Sequence, residues 1–129
     1  MNCGFYECEI TPALGGNMPG YFHERHTLKV MDKLYVRAMV AGEGEDRIAI
    51  AATDCIGCQP EYVARIREKV RQLSSIRPDH VMVCATHTHT GGPVFDHGEG
   101  DAFSPAYVDF LVERIADCIV SADQRAEPT

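Results

Sequence analysis

An apolar repeat bracketed by two β-branched runs constrains this chain more than any other feature. After Pro60, the residues Val63, Ile66, Val70, Leu73 and Ile76 recur at three- and four-residue spacing, the periodicity that lays one face of an α-helix on a core. Pro60 suits the first helical turn, where its missing N–H leaves no bond unmade. Glu61 stands early and Arg67, Lys69 and Arg71 stand late, in accord with the helix dipole. Arg77-Pro78 ends the run, because the residue before a proline is pushed out of the helical region. Residues 47–53 before this helix and 80–85 after it are short apolar or β-branched runs, which read as strands. Strand, crossover helix and strand form a right-handed βαβ unit with parallel strands. Both carboxyl ends then reach the same sheet edge, where open α/β sheets bind ligands.

The remaining segments fit around that unit. Residues 5–10 alternate as a short strand. Residues 11–20, with Pro12, Gly15, Gly16, Pro19 and Gly20, form a loop, since Pro removes donors and Gly is too permissive for a regular element. Residues 34–41 pair antiparallel with 47–53 through Gly42-Glu43-Gly44-Glu45-Asp46, turn chemistry of hairpin length. Ser104-Pro105 opens a second helix whose Leu111, Ile115 and Ile119 share a face, and Ala122 onward is expected to fray. The expected fold class is α/β: a mixed sheet with a hairpin and a βαβ unit, helices packed on the sheet. The 129 residues make a single domain, residues 1–129. It reads as the first part of a larger α/β domain, because the last helix is followed by no strand to cover it.

Charge and leader signals narrow the partners. Lys and Arg number 12 against 19 Asp and Glu, a net charge of −7, which argues against a nucleic-acid surface. No basic leader and no run of about 18 apolar residues occurs, so no transmembrane segment and a cytoplasmic location are expected. Without a secretory leader, the six cysteines are expected to be reduced, with Cys84 and Cys118 as core residues.

The strongest chemical signal is Thr86-His87-Thr88-His89-Thr90-Gly91-Gly92-Pro93, directly after the strand at residues 80–85. In extended backbone, residues i and i+2 face one side, so both imidazoles could converge on one metal or one substrate. The threonine hydroxyls could orient the rings, and the two glycines could let a ligand approach the backbone. The same pattern also suits two solvated loop histidines. A catalytic zinc takes three protein ligands, so two histidines do not complete a site. Asp54, His97, Asp96, His23 and His26 are the further candidates, each equally readable as polar surface, and Asp54 also as a cap. Cys55-Ile56-Gly57-Cys58 lies between strand and helix, where a thiol–disulfide exchange motif would sit. The helix starts beyond both thiols, so its dipole is not placed to lower a thiol pKa. Residues 15–20 lack both a P-loop Lys and a GxGxxG, which disfavours nucleotide binding. Residues 91–101 form an acidic loop readable as a lid or as a solvated connection.

Taken in order, Glu9-Ile10-Thr11-Pro12, Met18-Pro19-Gly20-Tyr21, Leu34-Tyr35-Val36-Arg37-Ala38, Asp54 and Ala85-Thr86-His87-Thr88-His89-Thr90-Gly91 resemble the N-terminal domain of the neutral/alkaline non-lysosomal ceramidase family. The resemblance spans nearly the whole chain, and the A-T-H-T-H-[ST]-G segment is its most specific element. It implies a zinc-dependent amidase; ceramidases proper cleave the N-acyl bond of ceramide to sphingosine and fatty acid. His87 matches the family's first zinc-binding histidine, and His89 matches the active-site histidine that meets the substrate amide or its transition state. The family's other zinc ligands, a His, a Glu and a Tyr, lie downstream of anything in this chain. Glu9 stands where the family usually has Asp, and Thr90 where Ser is common. The resemblance therefore implies zinc as cofactor and an amide or lipid-amide small molecule as substrate, with half of the site present. Against a long-chain lipid, the sequence has no Trp and no evident apolar groove. Oligomerisation to a homo-oligomer could complete the ligand set, and uncovered strand edge and helix surface would favour it. The alternatives are a non-catalytic binding or assembly module and a thiol–disulfide oxidoreductase using Cys55 and Cys58.

Overall fold

The computed structural model describes residues 1–95 and 102–129. The chain runs β1 (Asn2–Glu9), β2 (Tyr35–Gly42), β3 (Ile48–Thr53), α1 (Pro60–Leu73), β4 (Val81–Ala85), β5 (Val94–Phe95), β6 (Ala102–Phe103), α2 (Pro105–Gln124) and β7 (Glu127–Pro128). Five strands form one mixed sheet in the order β4-β3-β2-β1-β7, with β5 and β6 as a separate two-stranded ribbon. Strands β1, β2 and β3 are joined antiparallel, while β3 and β4 run parallel with Ala49 opposite Val81 and Thr53 opposite Ala85. The βαβ unit and the hairpin are therefore present as the sequence reads. The fold is α/β.

Alternation decides which face is buried. Val36, Ala38 and Val40 of β2 and Ala49, Ala51 and Thr53 of β3 point to one side and are buried. On that side α2 crosses β1, β2 and β3, and α1 packs beside α2. Ile66 and Val70 of α1 and Leu111, Val112, Ile115, Cys118 and Ile119 of α2 complete the core. The opposite face carries Phe5, Ile48 and Met82, all exposed.

Three details depart from the sequence reading. The first strand begins at Asn2, earlier than residue 5. The C-terminus does not fray after Ala122: α2 runs to Gln124, and Glu127 and Pro128 pair with Cys3 and Asn2, so a short strand does follow the last helix. A 3-10 turn, Gly44–Asp46, lies inside the hairpin connection. Among the described residues, no helix is long and apolar enough to cross a membrane.

Candidate functional site

Strands β3 and β4 end together, and the ladder is carried one step further by Thr86, whose N–H donates to the Thr53 carbonyl at 3.0 Å. The chain then turns sharply. His87 has φ 63°, a left-handed conformation that costs a non-glycine residue about 1–2 kcal/mol and that tends to cluster at functional sites. Convergence of the two histidines thus comes from this turn, not from a continued extended strand. His87 Nδ1 lies 2.7 Å from the Ile56 carbonyl, and His89 Nδ1 lies 2.9 Å from the Gly20 carbonyl. A carbonyl only accepts, so both Nδ1 atoms carry a proton, and in the neutral rings each Nε2 keeps a lone pair. Those two Nε2 atoms face each other at 3.4 Å.

Backbone carbonyls, rather than the threonines, orient the rings. Thr88 and Thr90 bond each other, Oγ1 to Oγ1 at 3.0 Å. The glycines also serve packing instead of ligand approach: Gly91 and Gly92 are buried, and a Cβ on Gly92 would lie 2.6 Å from Tyr107 Oη. The loop before β2 folds over His89. Gly20, at φ +99°, brings its carbonyl to the ring, and Tyr21 stands edge-on to His89 with ring centroids 5.6 Å apart. Arg25 donates through Nη2 to the carbonyls of His89 and of Pro19, and its guanidinium lies 3.7 Å from the Tyr21 ring centroid. Sequence reasoning passes over Arg25, because no motif separates it from the chain's other cations.

The remaining candidates are not gathered here. Asp54 does end β3 at the same edge, but its Oδ2 accepts from the Tyr35 N–H at 3.0 Å and from Arg37 Nη1 at 3.4 Å, which commits it to the start of β2. His26 Nδ1 meets the Gly15 carbonyl at 3.2 Å and its Nε2 pairs with Glu24, while His23 is exposed beside Tyr21. Asp96, His97 and most of the acidic loop lie outside the described residues. Among the described residues, no group of three or more His, Cys, Asp or Glu could hold a metal ion.

Cys55 and Cys58 stand before α1, which starts at Pro60. Their sulfurs are 3.7 Å apart and the thiols are free. A hydrogen bond from Cys58 holds the Cys55 thiol below its ordinary value, and the same bond, with burial, pushes Cys58 well up. A cleft of about 260 Å³, lined by Pro12, Met18, Val30, Met31 and Leu34 among others, opens beside Thr90. Apart from Thr90 its lining comes from the one connection between β1 and β2, where the apolar residues are interspersed with Thr11, Thr27, Lys29 and Asp32 and so form no periodic pattern.

The pair of histidines fits a zinc ion. Two lone pairs 3.4 Å apart repel unless a proton or a cation lies against them, and 3.4 Å is near the separation of two nitrogens bound at about 2.0–2.1 Å to one tetrahedral zinc. A zinc ion on His87 Nε2 would therefore lie within reach of His89 Nε2 as well.

Neither a protein-family model nor a curated protein matches this chain. Solved structures do. Neutral ceramidase from Pseudomonas aeruginosa superposes with a TM-score of 0.74 at 25% identity, over 98% of this chain and 22% of that one. A ceramidase complexed with C2 gives 0.73 at 26% identity, with the same coverage of each. The chain thus spans about a fifth of the length of those ceramidases, and the resemblance drawn from its motifs extends to three dimensions.

Proposed function

We propose that this chain carries part of the active site of a zinc-dependent amide hydrolase of the ceramidase kind, acting on an N-acyl amide. The observation that carries this reading is the pair of Nε2 atoms at the carboxyl edge of β3 and β4, each left bare by an Nδ1–H bonded to a backbone carbonyl. His87 Nε2 would hold the zinc, which when bound supplies Lewis-acid polarisation of the amide carbonyl and a lowered pKa for attacking water. His89 Nε2, aimed by the Gly20 carbonyl, would accept a proton from an attacking water and, once protonated, would donate to the developing oxyanion or the leaving nitrogen. Gly20 and Arg25 keep the His89 ring and backbone in place for both steps. The apolar cleft beside Thr90 supports an acyl group on the substrate. Similarity to neutral ceramidase supports the same class, with the remaining zinc ligands supplied by residues beyond those gathered here.

The test is a zinc titration of the purified chain after chelator treatment, beside His87→Ala and His89→Ala. Weak zinc binding, as befits a partial ligand set, is expected, weakened further at least about tenfold by His87→Ala and less by His89→Ala. A folded chain that binds no zinc would favour the non-catalytic binding or assembly module.

A further inference from the structure

The loop from Cys55 to Cys58 has no part in the hydrolytic reading, yet it touches the site. Ile56 stands between the two cysteines, and its carbonyl is the acceptor that holds His87 Nδ1 at 2.7 Å. Gly57, the other intervening residue, packs on the Phe95 ring, and Cys55 is fully buried in the core. Cys58 keeps some exposed surface, and the two sulfurs are 3.7 Å apart.

We propose that Cys55 and Cys58 form a reversible intrachain disulfide that displaces the Ile56 carbonyl and releases His87, placing the candidate metal site under redox control; this rests on His87 being the ligand proposed above. The oxidant is a low-molecular-weight disulfide. Cys58, the thiol of the pair with exposed surface, gives up its proton as it attacks one sulfur of the reagent and expels one thiolate. Cys55, as thiolate, then attacks the Cys58 sulfur, forms the Cys55–Cys58 bond and expels the second thiolate. Two protein thiols are oxidised, one reagent disulfide is reduced to two thiols, and the two cysteine protons end on those thiols.

Closing the sulfurs from 3.7 Å to bonding distance must be absorbed within Cys55, Ile56, Gly57 and Cys58. Cys55 is fixed in the core, so the movement falls on Ile56, Gly57 and Cys58, and a turn of the Ile56 peptide carries its carbonyl off His87 Nδ1. His87 keeps its strained φ of 63° while that acceptor is present, and its loss lets the residue relax.

The experiment exposes the metal-free chain to oxidised glutathione and reads peptide masses together with imidazole nitrogen resonances. One Cys55–Cys58 link is expected, with the mass of two hydrogen atoms lost, a shift of the His87 resonances, unchanged His26 resonances, and reversal by dithiothreitol. Zinc affinity should fall about tenfold or more, the loss typical when the outer partner of a ligating histidine is removed. Cys58→Ser should abolish every change and Cys84→Ser none. The absence of the link, a link to Cys84 instead, or a link that leaves His87 unmoved would each overturn the proposal. Because the resonances are read without metal, a chain that switches but binds no zinc overturns only the metal reading. A chain that binds zinc and never forms the link overturns only the switch.

Discussion

Gly20 is the residue on which the orientation of His89 most depends. At φ +99° it lies where L side chains are strained, and an added Cβ would run into the His89 ring and sit 2.7 Å from Ile56 Cδ1. Gly20→Ala should therefore lower stability by more than the roughly 1–2 kcal/mol of left-handed strain, and should release the His89 Nδ1 bond. Gly15→Ala is the matched control: its φ is +86°, but nothing lies within 4 Å of the new Cβ. Urea unfolding and imidazole nitrogen resonances separate the two outcomes. Equal stability loss with unmoved His89 resonances would remove Gly20 from the site. At this scale the sequence shows the histidines and hides what aims them. His87 and His89 stand out by residue type and spacing, but their partners are backbone carbonyls 31 and 69 residues away, which carry no residue-type signal. Arg25 is hidden for a related reason, since it acts on the His89 and Pro19 carbonyls, not on a charged partner.

Elements long enough to show a period were legible, and the shortest were not. The α1 repeat and the two flanking strands each extend over five residues or more, so burial on one face leaves a pattern that can be read. Strands β5, β6 and β7 hold two residues each, fewer than one full alternation, and exist only through the partners that the fold brings to them. Helix starts differ in the same way. The Ser104 side chain accepts from the Tyr107 N–H at 3.3 Å, whereas Gln59 at the start of α1 makes no such side-chain bond. Ser104→Ala should cost about 1 kcal/mol, and Gln59→Ala close to nothing, in denaturant unfolding. The first turn of α2 also reaches the site, because Tyr107 Oη donates to the Ile10 carbonyl at 2.5 Å and its ring lies against Gly92. Loosening that turn should therefore raise amide exchange at Gly91 and Gly92, while an equal stability loss without that change would separate the helix start from the histidine loop.

Across the whole molecule, the two faces of the sheet are unequally covered. An uncovered strand edge and helix surface were expected, and β4 ends the sheet while Leu73 and Phe110 are exposed on the helices; beyond these, both helices pack on one face of the sheet and leave the opposite face bare. Register lines Phe5, Met39, Ile50 and Met82 up as one row across β1, β2, β3 and β4, with Ala41 opposite Ile48 in a neighbouring row. Phe5 is 65% exposed, Ile48 45% and Met82 56%. Toward the histidine edge the same face turns polar: Arg37 pairs with Glu7 at 2.7 Å and reaches Asp54 at 3.4 Å. Contiguous apolar surface of this kind marks an association site, and the charged end steers a partner away from the histidines. The chain on its own should therefore self-associate through the apolar rows while its histidine edge stays open. Sedimentation velocity over a concentration series should show reversible association that Phe5→Lys with Met82→Lys removes. Both changes are on exposed positions, so the unfolding midpoint should stay within about 0.5 kcal/mol of the parent. Zinc binding should be unchanged in the same variant if the site is built within one chain. A loss of zinc along with the dimer would mean that the second copy supplies ligands to the first.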